Sequence, residues 1–517
     1  MMRLIDTLKY EPVELRFGTS GLRGLVTDMT DLECYINTAG FLRFLESETG
    51  FSPGPVYIAG DLRQSTPRIL RAVRAAIADQ GSTPVHWGAI PTPALARHAF
   101  AAGVPAVMVT GSHIPADRNG IKFYKQHDEV LKPDERSIAE AVAAVRAAVY
   151  ATPAETAAFD AAGMLRREEP LPAPSDEAAR AYLERFTSLF PARPLAGRKV
   201  VVYQHSAVGR DMLTRLLSDL GAEVVPVGRS DVFVPIDSEN VTAKDRAYFE
   251  GLAAAHPDVF AIVSTDGDSD RPFVVDENGV FHRGDVLGVL VAEWLAADFT
   301  AFPVSTSDAV TMRLEEAGGI RYAQTRIGSP YVVAAMQEAA AAGARRPVGW
   351  EVNGGFLTGA DLTAGAGTLT ALPTRDAFLP ILVSLVRAAE AGVPVSAMFQ
   401  ALPQRFTQAG LIDNFPSDVG QRMIAALAAG DDNARVLTAR HFGAEGGFGT
   451  VKATDDTDGV RIFFTSGDVA HIRASNNAPQ LRMYSIADSQ DRADEIVRLA
   501  IEEPDGIFRR LERQFTA

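Results

Sequence analysis

Short runs of consecutive apolar residues alternate along this chain with stretches where apolar residues recur every three to four positions. Val56–Ala59 is one such run and predicts a buried strand. A turn at Gly60–Ser65 follows, then an amphipathic helix with Ile69, Val73, Ala76 and Ile77 on one face, then a strand at Val85–Trp87. The same order returns at Lys199–Tyr203, with a turn at His205–Gly209, a helix through Met212, Leu216, Leu217 and Leu220, and a strand at Glu223–Val227. A third, weaker copy runs from Pro303–Ser305 through a helix to Gly318–Gly319 and the strand Ile320–Ala323. In each copy a glycine stands where the helix should end, because it alone takes the left-handed cap conformation without strain.

Each unit is followed by another apolar run whose C-terminal end carries an unusual loop. Ala106–Val109 leads into Thr110-Gly-Ser-His-Ile-Pro115, Phe260–Ser264 into Asp266-Gly-Asp-Ser-Asp-Arg-Pro272, and Pro347–Gly349 into Trp350-Glu-Val-Asn-Gly-Gly355. Strand–helix–strand connections favour parallel sheets, and ligands of such sheets sit beyond the carboxyl ends of the strands. Three similar α/β domains with mixed, largely parallel sheets are therefore expected, each offering one loop to a shared cleft.

The last stretch differs. Gly459–Thr465 and Val469–Ala474, joined by Ser466-Gly-Asp468, read as an antiparallel hairpin. The strand Gln480–Ile486 and a helix over Asp491–Glu502 complete a C-terminal α+β domain. Linkers are expected at Glu168–Ser175, near Arg283 and around Val393–Phe399, which gives domains over 1–170, 171–284, 285–397 and 398–517. Four domains fit a chain of 517 residues, which is too long for one core.

The net charge of −15 speaks against nucleic acid or an anionic membrane surface as a partner. An anionic small substrate then requires cations gathered locally. Cys34 is the only cysteine, so no intramolecular disulfide and no cysteine-built zinc site exists, and its place in the periodic helix Asp31–Thr49 favours packing. Met1–Arg16 lacks the apolar core of a signal peptide, and the most apolar stretch, Val286–Phe299, is interrupted by Glu293 and Asp298. These features predict a soluble cytoplasmic protein.

Several loops carry candidate chemistry. Asp266, Asp268 and Asp270 alternate with small residues at a strand end, which gathers three carboxylates on one side of the turn. Such a trio suits a hard divalent cation, although a solvated acidic turn has the same composition. An EF-hand is disfavoured because no glutamate falls at the twelfth loop position. Ser112 has His113 beside it and Arg118, Asn119, Gly120 and Lys122 after it, so it reads either as a nucleophile with a nearby base or as a polar turn. The loop lacks the Gly-x-Ser-x-Gly pattern of serine hydrolases. Phe17-Gly-Thr-Ser-Gly-Leu-Arg-Gly24 has neither the Walker lysine nor dinucleotide spacing. Arg473-Ala-Ser-Asn-Asn-Ala-Pro479 could cradle a phosphate, or be an ordinary loop between strands.

In combination these four loops resemble, in order and over nearly the whole chain, those of the α-D-phosphohexomutase family, which includes phosphomannomutases and phosphoglucomutases. Phe17–Gly24 is similar to the N-terminal arginine loop, and Thr110–Pro115 with Asn119-Gly-Ile-Lys122 to the phosphoserine loop. Asp266–Arg271 is similar to the metal loop, and Arg473–Pro479 to the phosphate-binding loop. The resemblance implies a four-domain, heart-shaped arrangement around a central cleft. It implies one Mg²⁺ per chain, held by Asp266, Asp268, Asp270 and a phosphorylated Ser112, and a hexose 1,6-bisphosphate that serves as intermediate and activator. By the same resemblance Arg23, His113, Lys122 and Arg271 act in phosphoryl and proton transfer. Thr325, Gly328, Ser329, Glu351 and Asn353 line the sugar site, and Arg473, Ser475, Asn476 and Asn477 grip the phosphate that does not react.

Some positions depart from the family pattern. Ile114 stands where asparagine is usual after Ser-His, Ser329 replaces a frequent histidine, Glu351-Val-Asn-Gly-Gly355 lacks the usual Glu-x-Ser-Gly-His, and Asn477-Ala478 replaces Thr-Glu. Two of these lie where the sugar is read. The expected reaction is interconversion of mannose 6-phosphate and mannose 1-phosphate. Glucose phosphates are the close alternative, because the sugars differ at one hydroxyl. The Glu-x-Asn-Gly loop faintly resembles the acetylglucosamine relatives. The rivals are a non-catalytic sugar-phosphate-binding protein and a metal-dependent phosphatase; the chain is expected to be a monomer or homodimer.

Overall fold

The computed structural model describes residues 2–18, 21–443, 447–474 and 479–516. The chain divides into two compact units, one formed by Met1–Ala301 with Gly328–Phe399 and the other by Phe302–Ile327 with Gln400–Ala517.

Three sheets of the first unit follow one plan. In the first, Thr83–Ala89, Pro55–Gly60 and Ala106–Val109 form a parallel trio, and Arg118–Tyr124 then adds antiparallel to Ala106–Val109, followed by Leu22–Leu25 and Arg16–Phe17. In the second, Glu223–Val227, Lys199–Tyr203 and Val259–Thr265 are parallel, and Pro272–Asp276 and Phe281–His282 add antiparallel. In the third, Phe299, Thr300 and Ala301 pair parallel with Pro347, Val348 and Gly349 of the strand Pro347–Trp350, which pairs antiparallel with Phe356–Thr358 and through it with Leu372–Asp376. The loops at 110–115, 266–272 and 350–355 therefore each join the last parallel strand to an antiparallel partner. That geometry turns the chain sharply at the carboxyl end of the strand.

The predicted helices form where the periodicity placed them. Thr66–Asp79 buries Ile69, Val73, Ala76 and Ile77 against the first sheet. Asp31–Glu48 opens on Thr30, whose hydroxyl accepts from Glu33 N at 3.3 Å and satisfies one free amide of the first turn. Cys34 lies fully buried in this helix, and loss of solvent pushes its thiol up to about 12, so it packs as a small apolar side chain. Val259–Thr265 is buried at every position, as expected for a strand covered on both faces.

In the second unit, Phe406–Asp413, Gln480–Ala487, Val469–Ala474, Val460–Phe464 and Val451–Asp455 form an antiparallel sheet in that order. The expected hairpin is present, with Val460 opposite Ile472. Helices Ser417–Ala428, Gln490–Ile501 and Ile507–Thr516 contribute Met423, Ile496 and Phe508 to its core. Of the expected linkers, 168–175 carries no helix or strand, but Val395–Gln400 is helical. The helix forms because Val395 and Phe399, four residues apart, are both buried, and Phe399 stacks on His282 with ring centroids 3.6 Å apart. Among the described residues, no helix is long and apolar enough to cross a membrane.

Candidate active site

The serine loop is shaped from outside by a residue the sequence reading passed over. Arg63 Nη1 donates to the carbonyls of Pro115 at 2.7 Å and Arg118 at 2.9 Å, and Nη2 donates to those of Ser112 at 3.0 Å and Ile114 at 2.6 Å. Its Nε donates to Asp61 at 3.2 Å, and Phe233 covers its face at 3.7 Å. A side chain at Gly111 would collide with this guanidinium, since a Cβ there would lie 2.6 Å from Cζ. Thus held, Ser112 adopts φ 53°, a left-handed conformation that costs energy for a residue with a Cβ.

That conformation aims the hydroxyl at the aspartate loop. Ser112 Oγ donates to Asp266 Oδ2 at 2.6 Å, and His113 Nδ1 lies 3.3 Å from the same oxygen. Burial, reinforced by the Arg271 and Arg23 guanidiniums, holds the His113 imidazole well below its ordinary range and therefore neutral. Asp266 Oδ1 accepts from the amides of Asp270 and Arg271, both at 3.1 Å, which fixes the turn. Burial, with Asp268 and Asp270 close by, raises the Asp266 carboxyl well above the usual carboxylate range.

Asp266, Asp268 and Asp270 are all buried, and one carboxylate oxygen from each lies within 4.8 Å of the others. Lys122 Nζ donates to Asp268 Oδ2 and to Asp270 Oδ2, each at 2.6 Å, and Thr92 Oγ1 donates to Asp268 Oδ2 at 2.6 Å. Asp268 Oδ1 and Asp270 Oδ1 are buried without a hydrogen-bond donor. Buried carboxylate oxygens in this condition call for a positive partner. Hard anionic donors at this spacing suit a small divalent ion, so the residues present fit magnesium.

Cationic groups ring the trio. Arg271 Nε lies 3.9 Å from Asp266 Oδ2 and 3.8 Å from Asp270 Oδ1, and its Nη1 lies 3.5 Å from both Asp237 Oδ1 and Glu239 Oε1. The Arg23 side chain has no hydrogen bond or ion pair among the described residues; loss of solvent, with Arg271 and Arg375 nearby, lowers it to about 10, which leaves it charged at neutral pH. A half-buried guanidinium kept beside two others, with no carboxylate at ion-pair distance among the described residues, is prepared to receive an anion.

The 351–355 loop belongs to the same unit. Glu351 accepts from Arg375 Nη1 at 2.7 Å, and Asn353 Nδ2 donates to Glu239 at 2.9 Å. Ser238 Oγ donates to the Asn353 carbonyl at 2.9 Å. Gly328 precedes the helix Ser329–Ala341, where Ser329 Oγ donates to Glu129 at 2.7 Å. Thr325 and Arg473 lie in the second unit: Thr325 Oγ1 donates to the Arg326 carbonyl at 2.8 Å, and Arg473 Nε to Asp458 at 2.9 Å. Ser475, Asn476 and Asn477 fall outside the described residues. Within the first unit the structure brings Arg23, Ser112, His113, Lys122, Arg271 and the three aspartates together. Sequence reasoning missed Arg63, Glu129, Asp237, Glu239 and Arg375. The Thr-Arg-Asp run at the end of Leu372–Asp376 was the one local signal available for Arg375.

Comparison with known proteins agrees with this geometry. Residues 14–148, 180–279 and 283–406 match the phosphoglucomutase/phosphomannomutase alpha/beta/alpha domains I, II and III, and residues 424–502 match the C-terminal domain. A phosphomannomutase of Sinorhizobium fredii is 41% identical over 93% of this chain and 97% of its own length. A phosphomannomutase of Salmonella muenchen is 39% identical over 94% of this chain and 95% of its own. The crystal structure of a phosphoglucomutase/phosphomannomutase family protein from Burkholderia thailandensis covers 100% of this chain and 98% of its own, with TM-score 0.70 at 20% identity, and shows the shared fold. With its four-domain architecture and buried aspartate trio, the chain belongs to the phosphoglucomutase/phosphomannomutase family and is a phosphohexomutase.

Proposed function

We propose that the enzyme interconverts mannose 6-phosphate and mannose 1-phosphate by way of a phosphorylated Ser112. The observation that carries this reading is the placement of Ser112 Oγ 2.6 Å from Asp266, among Lys122, Arg271 and the uncommitted Arg23. In the first half-reaction the sugar 1-hydroxyl attacks the phosphorus of phospho-Ser112. The P–Oγ bond breaks, hexose 1,6-bisphosphate forms, and the hydroxyl proton ends on Ser112 Oγ. In the second half-reaction the bisphosphate has turned, Ser112 Oγ attacks its 6-phosphoryl phosphorus, the bond from phosphorus to the sugar 6-oxygen breaks, phospho-Ser112 re-forms, and the proton goes to the sugar 6-oxygen.

The chain's own groups suit these steps. His113, neutral and 3.3 Å from Ser112 Oγ, relays the proton through Nδ1. Arg23 and Arg271 offset charge on the equatorial oxygens of the transferring group, the main requirement of phosphoryl transfer. Lys122 holds Asp268 and Asp270 in register. Asp266, Asp268 and Asp270 would hold Mg²⁺, which when bound supplies further charge neutralisation at the phosphoryl group. Glu351 and Asn353 face the sugar hydroxyls, and Arg473 with the 475–477 loop takes the distal phosphate. We place the enzyme in the cytoplasm as a monomer or homodimer acting on small sugar phosphates.

Mannose is preferred as substrate because the relatives at 41% and 39% identity are phosphomannomutases. The test is kcat/KM for the 1-phosphates of mannose, glucose and N-acetylglucosamine, with magnesium and a trace of the matching bisphosphate. Mannose 1-phosphate is expected to give the highest value. A higher value for either other sugar overturns the sugar assignment, and release of free phosphate as main product overturns the mutase reading.

A further inference from the structure

The strand Leu372–Asp376 delivers a buried guanidinium that the scheme above does not use. Arg375 Nε and Nη2 donate to Asp270 Oδ2 at 3.0 and 2.9 Å, while Nη1 donates to Glu351 Oε2 at 2.7 Å and to Ser329 Oγ at 3.2 Å. One rigid, planar group thus spans the aspartate loop, the 351–355 loop and the first turn of Ser329–Ala341. Glu129 braces it from behind, accepting from Ser329 Oγ at 2.7 Å and from Thr374 Oγ1 at 2.5 Å.

Room for this bridge comes from Gly355. A Cβ there would lie 2.5, 2.6 and 2.7 Å from Cδ, Cγ and Cβ of Arg375, so no side chain at 355 can coexist with the arginine stem. The backbone itself does not call for glycine at 355, because of the pair only Gly354 has a positive φ, at 87°. Glycine at 355 is a matter of space, and Arg375 fills the space.

We propose that Arg375 is a positioning residue of the phosphotransferase site: it fixes the Glu351 carboxylate for the sugar and withholds part of the Asp270 charge from the bound cation, an inference that rests on the hexose-phosphate reading above. A guanidinium is a fixed fork, so the separation of its nitrogens sets the separation of the two carboxylates it joins. Its removal has consequences of opposite sign. Glu351 loses its anchor and the sugar is held less well, while the carboxylates of 266, 268 and 270 lose a competing positive charge and hold a divalent cation more tightly.

The test uses the full-length protein with R375Q and R375K, measuring Mn²⁺ affinity by calorimetry without sugar, and KM and kcat for the preferred hexose 1-phosphate at saturating magnesium. For R375Q, KM is expected to rise roughly tenfold, the size of one charge-assisted hydrogen bond, with kcat within about threefold of wild type. The Mn²⁺ dissociation constant of R375Q is expected to fall by roughly threefold or more. R375K restores the charge but not the fork, so its Mn²⁺ affinity returns to that of wild type while KM stays raised. A loss of both affinities in R375Q, as in a loosened fold, overturns the proposal, as does a fall in kcat with KM unmoved. If R375Q fails to fold, R375K decides alone, and wild-type values for its KM overturn the proposal. A wild-type enzyme that binds Mn²⁺ yet turns over no hexose phosphate refutes the functional reading instead, and the cation arm still reports on Arg375.

Discussion

Ser112 Oγ meets Asp266 Oδ2 at 2.6 Å across 154 positions of sequence, joining the loop of one sheet to the loop of the next. The contact lies between two hairpin turns, each at the carboxyl end of a parallel strand. It places a hydroxyl that can carry a phosphoryl group against a carboxylate that can share a cation with that group.

From this contact follows the effect of Ser112→Ala. The variant keeps the aspartate trio and the sugar loop, so it should bind hexose phosphate nearly as wild type does. Turnover should fall on the order of 10⁴-fold or more, because the group that accepts the phosphoryl is gone. Mass spectrometry of protein incubated with hexose bisphosphate should find phosphoserine at 112 in wild type and no phosphoryl group in the variant. Retained turnover in Ser112→Ala would remove the covalent step from the scheme.

Arg63 carries a different expectation. Its guanidinium holds four carbonyls of the 112–118 segment and pairs with a fully buried Asp61. Arg63→Met leaves the Asp61 charge and those carbonyls uncompensated, at a cost of about 3–5 kcal/mol of stability. Denaturant unfolding measures this directly. Where the variant remains folded, kcat should also drop, since Ser112 is released from its left-handed conformation. Unchanged stability would mean that the serine loop holds its shape without the arginine.

A divalent cation should stabilise the folded protein. Three buried carboxylates with two unpartnered oxygens repel one another in its absence. Magnesium at a hundred times its dissociation constant should add about 2.7 kcal/mol, seen as a rise in Tm over chelator-treated protein. Asp266→Asn should abolish most of that rise. An equal rise in wild type and variant would place the ion elsewhere.

How far the site could be read from the chain depended on the sequence distance between partners. The aspartate loop was readable because its alternation of Asp with Gly and Ser is local, and so was the glycine-shaped serine loop. Arg375 was not, because its Asp270 partner lies 105 positions away and a single arginine at a strand end has no periodicity. Glu129 and Arg63 escaped for the same reason. The first two repeated strand–helix–strand units were readable from runs of apolar residues; in the third the opening strand is Phe299–Pro303 rather than the expected Pro303–Ser305, because residues 304 and 305 already turn towards the helix Asp308–Ala317. The antiparallel strand Arg118–Tyr124 was not, because Asn119 and Lys122 are buried for the site and break the alternation that marks a strand. The helix Val395–Gln400 was too short to announce itself.

Acid should weaken the second unit through His471. The ring is buried in the strand Val469–Ala474, and its Nε2–H donates to the Asp458 carbonyl at 2.6 Å, which leaves Nδ1 without a partner. Burial, with Arg461 and Arg473 nearby and only partly countered by the carbonyl and Asp458, lowers its pKa to about 4. Protonation is therefore easier in the unfolded chain, where histidine titrates near 6.5. The contribution is fully present above about pH 6.5 and is lost as pH falls towards about 4, amounting to about 3 kcal/mol over that window. Asp458 also accepts from Arg473 Nε at 2.9 Å and from the Ile327 amide at 2.9 Å, so the same loss loosens Arg473. Amide exchange in Val460–Phe464 and Val469–Ala474 should accelerate between pH 6.5 and 4, after correction for the intrinsic rate. In His471→Gln, whose amide can donate to the same carbonyl without titrating, that dependence should flatten. A variant with the wild-type slope would assign the acid sensitivity to another group.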